Sequence, residues 1–430
     1  MHYDLFSKEL GNDDFNRSIR LINQMEKEQE IKNVYLDHAA TTALSELAYL
    51  AMQPYLGEQF GNPGGIYSYG VQAKKAVTQS RKKIASLLGA QANEIHFTSG
   101  GTEADNWAVL GTVMPILKEF MLEQKSSVIR EPIHVITSSF EHHAVLECMK
   151  WLEQWGVEVT YLQPTKEGFV TPDQLERAMR PNTLLVSIMY VNNEIGTIQP
   201  IKEMARIAHA KGALFHTDAV QAVGHIPVLI QDLQVDMLSG AGHKFGGPKG
   251  IGFLYLRQGL DTESILHGGG QERGRRAGTE NVAGIVGMAA ALEEAVSGIE
   301  YTDLKTLCEN SALADMRNAF WKDISESIDG VEVNGSMNRR MPGNLNIRIK
   351  DVDSEALLLH LNHEGICASG GSACTSSLGD ASHVLRAIGR SEEEAKQSVR
   401  FSLGKENTTE ELNYVVRKMR DIVAMLRSLR

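Results

Sequence analysis

Cysteine is scarce in this 430-residue sequence: there are four, Cys148, Cys308, Cys367 and Cys374. No pair has the C-x-x-C spacing of a zinc or dithiol redox site, and four in so long a chain do not make a disulfide framework. A reducing compartment is the expectation. Positive charge is also short: 43 Lys and Arg against 54 Asp and Glu give a formal net charge of −11. That argues against a nucleic-acid or anionic-membrane footprint, which needs clustered basic residues. The longest apolar run, Val282 to Leu292, is too short to span a bilayer. The opening MHYDLFSKELGNDD lacks both a basic n-region and a continuous apolar core, so it reads as neither a signal nor a transit peptide. A soluble cytoplasmic protein is expected. Walker and G-x-G-x-x-G loops are absent, as are internal repeats and low-complexity tracts.

The chain is long enough for two or three domains and a sizeable core. Residues 1–33 stand apart: Phe15, Ile19, Ile22 and Met25 keep helical spacing, which suits an amphipathic helix or a partly disordered arm. After the strand and turn VYLDHAATT (34–42), helices are predicted over Glu46–Leu56 and Gly70–Leu88, the second ended by Gly89. From about 94 to 256 strands and helices alternate. Predicted strands lie at Glu94–Thr98, in HVITS, VEVTYL and VDMLSG, over Leu184–Gly196 and Ala213–Gly224, and in IGFLYL. These near-continuous apolar runs suit a mostly parallel sheet covered on both faces. A long helix over Thr302–Trp321 and a separate α+β unit follow. The boundary falls near 300, giving units 34–300 and 301–430, with the first strand and turn as candidates for packing on the second unit.

Polar residues gather where strands end, the place where open α/β sheets bind ligands. Lys244, in LSGAGHKFGGPKG, sits in a tight turn beside a buried strand. It is either a desolvated Schiff-base nucleophile or the solvent-facing lysine of an ordinary turn. Ser99-Gly100-Gly101-Thr102 opens a helix with Glu103 in its first turn, which makes either an anion cradle or a plain glycine turn. Asp218 at a strand end suits a cationic ring nitrogen, and His142 suits stacking and proton movement. Alone, each has an ordinary structural reading as a cap or a core residue. Together they match the handles of pyridoxal 5′-phosphate, whose ring is an electron sink only while its nitrogen stays protonated.

The motifs YLDHAATT, FGNP, FTSGGTEADN, EHHAV, VNNEIG, HTDAVQ, GHKFGGPKG, GGGQERGRRAGTENV, GSACTS and VRFSLG resemble those of the NifS/IscS-type cysteine desulfurases. These are class V, fold-type I pyridoxal-phosphate enzymes. The resemblance runs from about Val34 to Arg427. It implies an α/β fold: a large domain with a mostly parallel seven-stranded sheet, and a smaller α+β C-terminal domain carrying a catalytic cysteine loop. It also implies that Lys244 is the Schiff-base lysine, Asp218 the carboxylate on the ring nitrogen, and His142 the stacking, proton-moving histidine. Gly101, Thr102, Gly242 and His243 would contact the phosphate; Gln221 and Asn193 would lie near the ring oxygen and the substrate. Arg400 would clamp the substrate carboxylate, suited to a planar bidentate guanidinium. Thr279 would reach the phosphate of a partner subunit, so a homodimer is implied. Cys374 would take sulfur from L-cysteine and hand it, as a persulfide, to an iron–sulfur scaffold or tRNA-thiolation protein. No resident metal is expected, although Cys374 is open as a transient iron–sulfur ligand shared with a scaffold.

The sequence departs from the family in three places. Ala241 stands where a serine hydroxyl is usual, with Ser239 as a candidate replacement. Gly64, Gly65 and Tyr67 replace serines and a histidine after FGNP. The stretch between Thr102 and His142 is longer than usual, consistent with a surface insertion. Other readings on the same fold are a selenocysteine lyase, an aminotransferase, which would need no Cys374, and a non-catalytic scaffold. The loop ASGGSACTSSLG holds few apolar anchors, which predicts low local order around Cys374. Cys367, seven residues earlier, reads as structural.

Overall fold

The computed structural model describes residues 33–123, 131–299, 303–371 and 381–429. The predicted N-terminal helix or arm, and the loop around Cys374, lie outside these residues.

The central element is a seven-stranded sheet in the order β2-β8-β7-β6-β5-β3-β4. Its strands are β2 (Ile95–Thr98), β3 (His134–Ser138), β4 (Glu158–Leu162), β5 (Thr183–Ser187), β6 (Leu214–Asp218), β7 (Met237–Ala241) and β8 (Gly252–Leu256). Strands β4, β3, β5, β6 and β7 pair in parallel, while β8 runs antiparallel to both β2 and β7. Along β5, β7 and β8 consecutive side chains alternate between two cores. Val186, Leu238 and Phe253 face one, and Leu185, Met237 and Leu254 face the other. Both faces are therefore dry, and the strands read as unbroken apolar runs for that reason.

A second sheet, β12-β10-β9, is built from Ser398–Ser402, Asn344–Ile349 and Val331–Val333. It packs in its own core with Phe320, Phe401, Val415 and Met419. The chain's first described strand, β1 (Val34–Tyr35), joins this second unit. It pairs in parallel with β11 (Ile366–Cys367), and Val34 and Leu36 are buried in the same core. The turn that follows β1 then crosses to the large sheet.

Most predicted elements form within a residue or two of their expected bounds. The helix Ser68–Leu88 ends at Gly89, whose φ of 66° supplies the left-handed cap. Three expectations fail. The run Leu184–Gly196 is strand only to Ser187, because the chain then leaves the sheet and bridges back on itself at Val191 and Ile198. The run Ala213–Gly224 is strand only to Asp218, after which the chain turns, with the Ala219 carbonyl accepting from the Ala222 and Val223 N–H groups. The long helix over Thr302–Trp321 is two helices, Leu304–Asn310 and Ala312–Ser327. Ser311 breaks them with an extended ψ of 150° and caps the second by accepting from the Ala314 N–H. A further helix, Ile201–Ala210, was not expected from the sequence. Among the described residues no helix is long and apolar enough to cross a membrane.

Candidate active site

The C-terminal ends of β2, β3, β5, β6 and β7 converge on a cavity of about 220 Å³. Gly101, Thr102, His142, Asn193, Asp218, Gln221, His243, Lys244 and Arg400 all line it. Two expected residues do not. Gly242 lies in the same turn but faces away; a Cβ there would meet Ile251, Met288 and the Pro248 carbonyl, each at 3.2 Å. Thr279 is exposed on the loop that precedes the helix Val282–Ser297, outside this cavity. Cys374 is outside the described residues.

Lys244 is held by a 3-10 turn, Gly242–Lys244, directly after β7. Gly246, with φ of +84°, lets the chain reverse immediately afterwards. The Lys244 Nζ donates to the carbonyls of Ala39 (2.7 Å) and Ala40 (2.8 Å). Gln221 donates to the same Ala39 carbonyl at 2.9 Å, and His243 Nδ1 lies 3.1 Å from Thr41 Oγ1. The turn after β1 therefore braces three cavity residues. Burial, with Lys244 and Lys249 nearby, lowers the His243 imidazole to about 4, so it is neutral near pH 7.

His142 caps the helix His143–Glu153: its Nδ1 accepts from the Ala144 N–H at 3.1 Å. In the neutral ring the proton therefore sits on Nε2. Burial pulls its pKa down; Lys244 and His383 add to this, and Asp218 opposes it.

Asp218 ends β6, where Oδ1 accepts from the Val220 N–H at 2.9 Å. Burial raises its pKa, while His142 and Lys244 hold it back. Behind it lies a buried polar layer. Asp105 is 1% exposed, and its Oδ1 is 3.7 Å from His216 Nε2. His216 also meets Ser187 Oγ at 2.8 Å and Ser239 Oγ at 3.0 Å. Burial pushes Asp105 well above the usual carboxylate range, Glu141 up to about 8, and His216 down to about 3. Asp105 escaped notice in the sequence although it lines the cavity. The available signal was its spacing: it lies three residues after Thr102, on the same helix face.

The helix Gly101–Glu123 opens at the cavity. A Cβ on Gly101 would sit 2.7 Å from Val220 Cγ2, so the backbone N–H groups approach the cavity only because no side chain is present. Ala241 Cβ lies 3.7 Å from that point, so the position lacking the usual hydroxyl is beside the cradle. Ser239 does not replace it, since it is fully buried and bonded to His216.

Arg400, on β12, is 1% exposed. Its Nη2 donates to Asp37 Oδ1 at 2.6 Å and its Nη1 to the Asn193 carbonyl at 2.8 Å. Burial pushes the Cys148 and Cys308 thiols up to about 12 and about 11, so neither is a nucleophile at neutral pH. Cys367 is half-buried in β11. Among the described residues no group of three or more His, Cys, Asp or Glu could hold a metal ion.

The arrangement suits pyridoxal phosphate. A helix start without a side chain can take a phosphate. Asp218, raised by burial, gains a partner for its charged form when a protonated ring nitrogen faces it. A lysine amine stands across the same small space. Such a cavity, at the strand ends of a mostly parallel sheet, marks a class of α/β enzymes that bind a phosphorylated aldehyde.

The chain belongs to the aminotransferase class-V family, whose model matches residues 34–415. It is 46% identical to the cysteine desulfurase IscS of Dictyoglomus turgidum, covering 93% of this chain and 96% of that protein. It is 47% identical to the cysteine desulfurase IscS of Methanosarcina thermophila, covering 93% and 94%. Among solved structures, a NifS-like protein superposes with a TM-score of 0.80 at 34% identity, covering 91% of this chain and all of that one. A structure described as SspA in complex with cysteine superposes with a TM-score of 0.73 at 35% identity, covering 86% and 99%.

Proposed function

We propose that the protein is a pyridoxal-phosphate-dependent cysteine desulfurase that converts L-cysteine to L-alanine and leaves the sulfur as a persulfide on Cys374. The observation that carries this is the gathering of Lys244, Asp218, His142, the helix start at Gly101 and Arg400 around one cavity. The likeness to proteins named cysteine desulfurase, and to one solved with cysteine, supports the choice of substrate.

The bound cofactor supplies an electrophilic carbon and an electron-withdrawing ring. Lys244 Nζ is the amine that would hold it and the base placed to take the substrate α-proton. Asp218 keeps the ring nitrogen protonated. His142, neutral with its proton on Nε2, stacks on the ring and can give that proton up. Gly101 and Thr102 hold the phosphate, with His243 alongside. Arg400 holds the substrate carboxylate, and Asn193 and Gln221 flank the ring oxygen. The Cys374 thiolate then attacks the substrate sulfur. An S–S bond forms and the C–S bond breaks; the carbon fragment keeps the electron pair and takes protons to leave as alanine. No outside oxidant is needed.

A second copy of the chain completes this reading. Leu47, Leu50, Leu56, Phe60 and Ile66 are exposed, Ile66 at 97%. An apolar surface of that kind suits an interface in a homodimer, across which Thr279 would reach the partner's phosphate. Sedimentation of the purified protein tests it: a monomer at micromolar concentration overturns the dimer. The persulfide passes to a sulfur-acceptor protein, an iron–sulfur scaffold or a tRNA-thiolation protein, in the cytoplasm. The test of function is an assay that measures alanine, sulfide and protein persulfide together during L-cysteine turnover. Cys374→Ser should still bind cysteine yet form no persulfide, and Cys367→Ser should stay active. A keto acid in place of alanine, or a persulfide mapped to Cys367, overturns the assignment.

A further inference from the structure

Arg400 is expected to take the substrate carboxylate, yet its guanidinium already has an anion against it. Nη2 donates to Asp37 Oδ1 at 2.6 Å, and both side chains are well covered, at 2% and 17% exposure. Nη1 donates to the Asn193 carbonyl. The buried Nε has no hydrogen-bond partner among the described residues. A guanidinium has five N–H donors in a fixed fork. The two bonds fix its plane and leave the remaining donors for a ligand.

Asp37 cannot follow the arginine if it moves, because its backbone is held from several sides. The Asp37 carbonyl accepts from Tyr35 Oη at 3.1 Å and from the Ala40 N–H at 3.0 Å. Asp37 also bridges Ser402 on β12, and the next-but-one residue, Ala39, donates from its N–H to Ser402 Oγ at 2.9 Å. The carboxylate is therefore a fixed acceptor beside the cavity, on the same turn whose Ala39 and Ala40 carbonyls hold Lys244.

We propose that Asp37 is a positioning residue for Arg400, and that by neutralising part of its charge it sets how tightly the cavity holds an α-carboxylate. This rests on the reading that Arg400 binds the substrate carboxylate. Substrate and product carry the same carboxylate. An unopposed, water-excluded guanidinium would hold both more tightly and release alanine more slowly. Asp37 competes for the same cation, keeps the fork in place and makes the grip reversible.

Binding of L-alanine to the holoenzyme, followed by the change in cofactor absorbance, tests this, with cysteamine as a ligand that lacks a carboxylate. Asp37→Asn keeps an oxygen that can accept from Nη2 but removes the charge. L-alanine should bind about fivefold more tightly, the scale of losing one partly screened opposing charge, while cysteamine is unchanged. Asp37→Ala removes the acceptor as well; L-alanine should then bind more weakly than to Asp37→Asn, because the fork is no longer held. Unchanged or weaker L-alanine binding by Asp37→Asn, with wild-type melting temperature, overturns the proposal. So does equal tightening by both variants, which would leave Asp37 no positioning role. If Asp37→Ala does not fold, Asp37→Asn still decides. Arg400→Lys separates the two readings: if it leaves L-alanine affinity unchanged, it is the assignment of Arg400 that fails.

Discussion

One wall of the cavity, carrying His142, Asp218 and Lys244, hangs from the C-terminal ends of β3, β6 and β7. The opposite wall, carrying Arg400 and the turn from Asp37 to Thr42, comes from β12 and the chain just after β1. The first wall rests on strands buried on both faces and on a buried polar layer of Asp105, His216 and Ser239 beneath them. The second stands at the joint between the two cores and is held by a few specific bonds, Arg400 to Asp37 and Lys244 to Ala39 and Ala40. The difference separates two tasks. The first wall suits a group that stays through every cycle; the second suits one that must arrive and leave.

The largest effect should come from removing the nucleophile of the first wall. Lys244→Ala should lower cysteine turnover roughly a thousandfold or more. Borohydride should no longer fix the cofactor to the protein. A reduced adduct mapped to another lysine would show that the first wall has been misread.

Arg400→Lys tests the second wall alone. A lysine keeps the charge but loses the fork, so cysteine binding should weaken by about 1–3 kcal/mol with the cofactor spectrum unchanged. An unaltered KM would remove the division of labour between the walls.

Ala241→Ser sharpens the first wall. A hydroxyl next to the Gly101 cradle should tighten cofactor binding by about 0.5–1.5 kcal/mol, one net hydrogen bond. Cofactor dissociation measured by dilution reads this directly, and no gain would mean that the phosphate lies elsewhere.

A last test concerns pH. The first wall and its sheet hold histidines lowered mainly by burial: His96 and His216 to about 3, His134 and His243 to about 4. Their neutral forms are favoured by the fold. Their contribution to stability is therefore complete above the ordinary histidine pKa of about 6.5 and is lost as pH falls from there through about 4 to 3. Melting temperature should decline over that window. His216→Gln should flatten the decline while lowering stability at pH 7, because two buried hydroxyls lose a partner. An equally steep decline in the variant would assign the acid sensitivity to other groups.

The first wall was largely legible in the sequence. Asp218 ends a strand and Lys244 follows one within three residues, so both announce themselves as polar groups at strand ends, while His142 stands out as the residue before a helix. The second wall was legible only by resemblance. Asp37 and Arg400 are 363 residues apart, and no local pattern says that they meet. Asp105 was hidden because a single acid inside a helix looks like any solvated helical residue until the sheet beneath it is in place. The overlong strand after Leu184 has a simple cause: the run stays apolar through Val191 because the chain remains buried after leaving the sheet. Ser311 was missed because one capping serine does not interrupt helical periodicity on either side.

The pairing of Asp37 with Arg400 also has a consequence for how the molecule is made. At the usual synthesis rate of about 5–20 residues per second, the 363 residues between them take roughly 20 to 70 seconds to emerge. For most of that interval β1 has no β11, and throughout it the turn has no complete β12. The lysine-bearing wall can assemble on the nascent large sheet, while the arginine-bearing wall waits for β12, the last of the described strands. A ribosome-bound chain stopped short of Ser398 thus has the cofactor-facing half of its cavity without the half that grips substrate, and the site closes only once β12 has emerged.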